Sequence, residues 1–228
     1  MPLTALALIL AAAFCHATWN LILKRSRGGG ILFFWLVAWI ESLVYAPVAV
    51  FFFVQLGYWP DARTVVMMLG SALIHVAYFV FLDRGYRTGE QGSGFALATG
   101  AMIAIYTVWD RQAVVAFLIP PVIFYWGSIV LRLVVTTPVA LRQMAAVKAL
   151  WASERRAIVM VAVLSPLSYC LALFAMKMAP LSYVAPAREI SILIAALYGT
   201  HFLKEGDVAR RLSAAVLMVL GLTGIALA

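Results

Sequence analysis

Charged residues are scarce in this chain of 228 residues: they make up 11% of it, whereas hydrophobic residues make up 65%. Soluble domains average about 25% charged and about 45–50% apolar residues. A soluble domain of this length has too little interior to bury so much apolar surface. The composition therefore excludes an ordinary soluble domain and predicts a membrane protein.

Cysteines and catalytic motifs are also scarce. The two cysteines, Cys15 and Cys170, lie inside apolar runs, which is typical of small buried side chains rather than of a disulfide or a metal site. The chain has no Walker loop, no His-Glu-x-x-His motif and no Gly-x-Ser-x-Gly motif. We therefore expect no cofactor, no metal site, no ATP-driven transport by this chain alone and no enzymatic activity.

The net charge of +8 is concentrated in short gaps between long apolar runs. The positive-inside bias of membrane proteins explains this placement, so we do not expect a nucleic-acid partner. A spanning helix needs about 20 mostly apolar residues. The sequence predicts an all-α membrane protein with eight such helices, at residues 3–23, 31–55, 64–82, 93–109, 117–138, 157–178, 181–203 and 210–228.

Helix breakers separate these runs, among them Gly28-Gly29-Gly30, Pro60-Asp61, Pro120-Pro121 and Pro180. The apolar runs do not alternate, which argues against a β-barrel. We expect the first run to be a retained helix, because no basic residue precedes it and no polar break follows it. The polar stretch 142–156 is expected to be a short amphipathic helix on the surface.

The basic residues divide unequally between the two sides of an eight-helix bundle. Twelve fall on one side, and three (Arg63, Arg111 and Lys177) fall on the other. The bias predicts a multi-pass protein of the cell membrane, with loops 24–30, 139–156 and 204–211 in the cytoplasm and both termini outside.

An internal repeat is visible in the sequence. Trp35 and Pro47 match Trp126 and Pro138 at an offset of 91, and the flanking segments match more loosely at offsets of 87 and 90. The repeat divides the chain into a truncated first copy of three helices (1–91) and a second copy of five (92–228). An odd number of helices separates the copies, which predicts the inverted-repeat bundle of secondary transporters, here 3 + 5.

Ionisable residues within the predicted spans are costly unless they are paired or hydrated, by about 2.5–3.5 kcal/mol on insertion scales. Glu41 lies ten residues into its run, about 15 Å deep, and Arg132 occupies the equivalent repeat position. We expect both side chains to point into a central cavity and to pair. Two interpretations remain open: a charge switch that binds a zwitterionic or ionic substrate, and a structural ion pair between the halves.

Two further groups of polar residues need an explanation. Arg188 and Glu189 lie about 10–12 Å into the seventh run, beside Pro186. Glu189 is a candidate for proton coupling, and Arg188 for binding a substrate carboxylate or phosphate. His16, Asn20 and Lys24 share one face of the first helix, which is either a cavity wall or a seam between helices.

Aromatic residues supply a third set of candidates. Trp19, Tyr78 and Tyr106 could stack against a flat or cationic substrate, together with Trp126 and Tyr169. Packing and interface anchoring are the alternative for each of them. His75, three residues before Tyr78, marks a second inward face, where a structural role is the simpler interpretation for a lone histidine.

The C-terminal part of the sequence contains the most distinctive motifs of the chain. It reads APLSYVAPAREIS at 179–191, FLKEG at 202–206 and GLTG at 221–224, and HATWNLILK stands at 16–24. These segments resemble the EamA-like permeases of the drug/metabolite transporter superfamily. The resemblance implies two inverted repeats of five helices that move metabolites or drugs. This chain departs from that pattern, because the fourth and fifth family helices are missing near 92–95.

The sequence thus predicts a secondary transporter that moves small metabolites or drugs by alternating access, with protons as a candidate coupling ion. Its expected partners are a small-molecule substrate and the lipid bilayer. The missing helices keep open a non-transporting or partner-dependent membrane subunit, and a homo-oligomer would restore them. A membrane enzyme of lipid metabolism is the third interpretation.

Overall fold

The computed structural model describes residues 2–26, 30–88 and 93–180, with a few positions further on (183, 184, 191, 213, 216 and 217). This part of the chain contains helices and no strand, which confirms the all-α class there. The helices are α1 (Leu3–Arg25), α2 (Gly30–Leu56), α3 (Ala62–Thr88), α4 (Ser93–Arg111), a π-helix (Gln112–Ala116), α5 (Pro121–Arg142) and α6 (Met144–Met178).

Five of these helices are long and apolar enough to cross a membrane: α1, α2, α3, α5 and α6. The predicted span at 93–109 is present as helix α4, which is not one of those five. The last two predicted spans, 181–203 and 210–228, lie almost entirely outside the described residues. The count of eight spans therefore stays a prediction.

The helix ends follow the local chemistry of the sequence. Asp61 caps α3, because its Oδ1 accepts the Thr64 backbone N–H at 2.7 Å. Pro121 opens α5, where its missing N–H would have no partner in any case. Gly30 begins α2 with a φ of 56°, a left-handed conformation that favours glycine. Helix α6 ends at Met178, just before Pro180.

Helix α6 corrects one prediction. Instead of a separate surface helix up to Arg156, the structure has one continuous helix of 35 residues from Met144, about 52 Å long. The stretch 143–156 contains neither glycine nor proline, so nothing in it interrupts the backbone hydrogen bonds. Its first turns are also held by packing of Val147 against Trp35 and Ala140.

The described contacts divide the chain into two compact units. The first joins residues up to Leu21 with those from Leu167 onward, and the second runs from Ile22 to Pro166. In the first unit the Ser168 hydroxyl donates to the Ala12 carbonyl at 2.8 Å, which ties α6 to α1. In the second unit α2 packs along α5, and α3 packs along both α4 and α5. The repeat boundary at residue 91 stays a prediction.

Two indole groups fix the direction of α2 against α5. Trp35 Nε1 donates to Thr137 Oγ1 at 3.0 Å, and Trp126 Nε1 donates to the Ser42 carbonyl at 3.0 Å. The contact on α5 moves from residue 137 back to residue 126 as the contact on α2 moves from residue 35 to residue 42. The two helices are antiparallel neighbours, each donating a tryptophan hydrogen bond to the other.

The described contacts distinguish two ends of the second unit. At one end, the Gly30 N–H donates to Asp83 Oδ1 at 2.8 Å, which places the start of α2 beside the end of α3. The Trp35–Thr137 bond adds the end of α5 to the same place. We call this the basic end, after its exposed cations Lys24, Arg25, Arg84, Arg87 and Arg142. At the other end, the Arg63 guanidinium lies 5.4 Å above the Phe117 ring.

Candidate functional site

The central feature of the second unit is an ion pair between α2 and α5. Glu41 is the twelfth residue of α2, and Arg132 is the twelfth residue of α5. At about 1.5 Å per residue, both lie about 16 Å from the start of their helices, near the middle of a bilayer core of about 30 Å. Arg132 Nη2 donates to Glu41 Oε2, so the predicted pairing is confirmed.

The pair uses only one of the two bonds that its groups offer. A guanidinium presents Nε and Nη2 along one edge, which can bind both oxygens of a carboxylate. Here Nη2 bonds Oε2, whereas Arg132 Nε and Glu41 Oε1 are both buried without a hydrogen-bond partner among the described residues. The site therefore retains one charged donor and one charged acceptor atom.

Burial makes this arrangement costly and consequential. Glu41 is 0% exposed and Arg132 is 5% exposed. Removing two charges from water costs several kcal/mol each, about the amount that their attraction returns in a protein interior. A buried pair is thus weak evidence for stability by itself. Two unsatisfied polar atoms in the same pair need a further explanation.

A phenylalanine ring lies against the guanidinium of Arg132. The Cζ atom of Arg132 lies 5.1 Å from the centroid of the Phe79 ring, within range of a cation–π interaction. Phe34 stacks on Phe79, with centroids 3.8 Å apart and an angle of 18°. Sequence reasoning missed both rings. The available signal was their helical spacing, four residues after His75 and seven before Glu41.

An aromatic cluster continues from Phe79 along α3 and α4. Tyr78 contacts Phe79 at 5.0 Å and Tyr106 at 5.7 Å between centroids, and His75 stacks on Tyr106 at 4.5 Å. All three polar rings are buried, which confirms the predicted inward face of α3. His75 Nδ1 lies 2.8 Å from the Ser71 carbonyl, which can only accept, so Nδ1 carries the proton.

A small pocket borders the ion pair between α2, α3 and α5. About 10 Å³ is open to the centre of a water molecule, which is room for about one water. Its lining is mostly apolar, with Arg132 and Thr136 as the polar members, and consists of Ile31, Phe34, Val76, Phe79, Val80, Arg132 and Thr136. This pocket would therefore have to widen to admit a metabolite.

Three of the remaining predicted site residues, His16, Trp19 and Asn20, belong to the first unit. Trp19 is buried in the first unit, where the His16 ring meets it edge-on at 5.1 Å. Asn20 Nδ2 donates to the His16 carbonyl at 3.0 Å. Arg188 and Glu189 lie outside the described residues. The structure thus groups Glu41, Arg132, Tyr78 and Tyr106; the substrate-binding role of every candidate stays a prediction.

Within the described ranges, no three His, Cys, Asp or Glu side chains are placed to hold a metal ion. No family model, curated protein or solved structure matches this chain. The geometry of the ion pair and the chemistry of its surroundings are therefore the basis for inferring a function.

Proposed function

We propose that this chain is a secondary transporter of small metabolites or drugs, working by alternating access around the α2–α5 contact. We also propose the finer points of that interpretation: an EamA-like permease, eight spans arranged as inverted repeats of three and five helices, and Lys- and Arg-rich loops facing the cytoplasm of a cell membrane. The five helices that are long and apolar enough to cross a membrane are compatible with it.

The observation that carries the proposal is the position of the ion pair. In an inverted repeat, a two-fold axis between the two antiparallel helices maps each residue of one helix onto its equivalent in the other. A residue can contact its own equivalent only where both lie next to that axis. Glu41 and Arg132 are 91 positions apart, the offset of the tryptophan and proline matches, and they contact each other. This contact supports an inverted repeat whose halves meet at a polar point in mid-membrane, where such transporters bind substrates.

A second candidate has an observation in its favour. The pocket beside Arg132 has room for about one water molecule, and rings close it on the α3 side. A structural ion pair that locks α2 to α5 accounts for this geometry equally simply. The chain would then be a non-transporting subunit, which needs a partner or a second copy to supply the missing helices.

Reconstitution of the purified chain in liposomes separates the two candidates. We expect uptake of at least one member of a labelled panel of amino acids, organic acids, nucleosides and quaternary amines. Glu41→Gln should reduce it by about 10–100-fold, because the amide keeps the shape and an acceptor oxygen of Glu41 but not the charge that pairs with Arg132. Arg142→Gln is the matched control, because Arg142 is an exposed arginine of the same helix as Arg132. A folded chain without flux, seen as an oligomer by native mass spectrometry, would favour the subunit.

A further inference from the structure

We propose that Arg132 binds the carboxylate of a small apolar monocarboxylate, and that Glu41 takes up a proton as it releases Arg132. Binding would then join one anion and one proton. This inference deepens the proposed function, because it names the substrate class and the coupling ion for the same site. Its binding step can be tested without any transport.

The incomplete contact between the two groups supports this assignment. Arg132 Nε is a buried donor next to the one that bonds Glu41, and it has no partner among the described residues. A carboxylate that approaches along this edge gains two hydrogen bonds, from Nε and Nη2, whereas Glu41 makes one. An incoming carboxylate therefore has a geometric advantage over the resident one.

Charge neutrality requires the proton. The pair Glu41 and Arg132 is neutral, so adding an anion would leave one uncompensated negative charge in a buried site. A proton from solvent on Glu41 Oε1, the oxygen without a described hydrogen-bond partner, makes this side chain neutral. The new anion then balances Arg132. No covalent bond other than that O–H bond forms, and no electron is transferred.

The surroundings of Arg132 indicate the kind of carboxylate. The pocket lining is apolar apart from Arg132 and Thr136, and the stacked rings of Phe34 and Phe79 border it. The pocket also extends to Ile31 and Val80, the residues nearest the basic end. The exposed cations there would raise the local concentration of anions. A flat, apolar monocarboxylate fits these features better than a cation or a polyanion does.

The other titratable groups near Glu41 determine the controls. Arg132 on α5 contacts Glu41 directly. On α3, His75 and Tyr78 lie behind Phe79, and Tyr106 of α4 contacts both of them. Tyr45, one turn beyond Glu41, donates to the Val163 carbonyl of α6 at 2.8 Å. His75 is thus the described alternative site for the proton, and a His75→Gln variant tests it.

Benzoate, benzamide and benzylamine form a matched set of probes with one ring and three charge states. Isothermal titration calorimetry of the purified chain, in two buffers of different ionisation enthalpy, measures the number of protons that are taken up when a probe binds. We expect benzoate to bind with uptake of about one proton, so that its affinity rises about tenfold per unit fall in pH between roughly pH 6 and 8. Benzamide and benzylamine should bind at least about tenfold more weakly, because neither can form the fork with Arg132.

The variants make the result decisive. Glu41→Gln, which resembles the protonated state, should bind benzoate at all these pH values without proton uptake, whereas Arg132→Gln should lose binding. His75→Gln should keep the pH dependence. Benzoate binding without proton uptake, preference for benzylamine, or loss of the pH dependence in His75→Gln would each overturn the assignment. Thermal unfolding in the same detergent identifies variants that fail to fold, and Arg132→Lys then replaces Arg132→Gln.

The outcomes also separate this inference from the proposed function. Proton-linked benzoate binding without flux in liposomes would leave the inference standing and reject transport. Flux of neutral or cationic substrates without benzoate binding would do the opposite.

Discussion

At the scale of single residues, Glu41 and Arg132 depend on each other more than they stabilise the fold. Removing one partner of a buried pair leaves a lone charge in a medium of low polarity, which is far more costly than removing both. Both side chains are at least nine-tenths buried here. Their interdependence should therefore appear in unfolding experiments as a strong coupling between the two positions.

Arg132→Leu should reduce the free energy of unfolding by about 3–5 kcal/mol, because Glu41 stays behind as an isolated buried charge. The double variant Glu41→Leu with Arg132→Leu should recover most of that loss. Reversible unfolding in mixed detergent micelles measures both. Arg142→Leu, the change of an exposed arginine in the same helix, should have an effect of about 0.5 kcal/mol or less. A double variant no more stable than Arg132→Leu would contradict this account.

Asp61 gives a pH-dependent contribution outside the spanning segments. The hydroxyl and the backbone N–H of Thr64 both donate to its carboxylate, and these bonds hold the pKa of Asp61 below its usual range. Since the folded-state pKa is the lower one, the cap stabilises the protein fully above the unfolded-state pKa. That stabilisation is lost as the pH falls through the folded-state pKa.

We therefore expect a carbon-13 NMR titration of the Asp61 carboxyl to have its midpoint below that of an unstructured aspartate. Thr64→Val, which removes the hydroxyl donor but keeps the backbone donor, should move the midpoint part of the way back. An unchanged midpoint in Thr64→Val would show that the hydroxyl bond has no influence on the carboxylate.

The ionisable residues of the candidate site could be predicted from the sequence, because a charged side chain within a long apolar stretch is easily recognised. Glu41 stands out by its depth in an apolar run and Arg132 by its equivalent repeat position, and their contact is expected from an inverted arrangement. Phe34 and Phe79 were missed for the opposite reason. A phenylalanine in a spanning helix faces lipid as readily as protein, so neither its identity nor its hydropathy distinguishes the two surroundings.

At the scale of helices, a glycine and a tryptophan set the contact between α3 and α4. Trp109 Nε1 donates to the Met67 carbonyl at 2.9 Å, and its indole lies where a Cβ atom of Gly70 would be. Gly127 of α5 is similarly close to Met68, but a methionine side chain can bend away, whereas an indole cannot. The two glycines should therefore respond differently to the same substitution.

Gly70→Ala should destabilise the protein, because overpacking costs about 1–3 kcal/mol and exceeds the helix-propensity gain of about 1 kcal/mol. Gly127→Ala should be nearly neutral, and Gly100→Ala, with no described atom within 4 Å of the new methyl group, should be stabilising. Thermal unfolding of the three variants in one detergent gives the ranking. Equal effects at positions 70 and 100 would contradict the close contact.

The helix boundaries show where sequence patterns succeed and where they fail. Pro120-Pro121 and Asp61 mark the starts of α5 and α3 correctly, because they act through local backbone chemistry. The sequence predicts a separate surface helix at 142–156 and misses its continuation into the span that begins at 157. Charged residues interrupt an apolar stretch of sequence, but they do not interrupt a helix, because the helix continues as long as its backbone hydrogen bonds do. The π-helix after Arg111 gave no signal that was recognised.

At the scale of the molecule, the contacts of the second unit predict which loops share a side of the membrane. Single cysteines at Arg84 and Arg142, in a chain without Cys15 and Cys170, should react with an impermeant maleimide from the same side. Both positions lie at the basic end. A cysteine at Arg63 should react from the opposite side, because Arg63 lies at the other end of α3.

Leu118→Cys serves as the control for this experiment, since it follows Phe117, which Arg63 contacts. It should label together with position 63. Labelling of positions 84 and 142 from different sides would require another path of the chain through the bilayer. Labelling of the basic end from outside the cell would reverse the orientation that the Lys and Arg count predicts.

The separation of Glu41 and Arg132 along the chain has a consequence for biosynthesis. Arg132 follows Glu41 by 91 residues. At a synthesis rate of about 5–20 residues per second, the ribosome adds it about 5–18 s later. During that interval α2 must enter the bilayer with a carboxylate that has no partner, held in place by its apolar neighbours alone. Once α5 is inserted, Arg132 can pair with Glu41, and the translocon or a chaperone no longer has to shield the carboxylate of α2 from lipid.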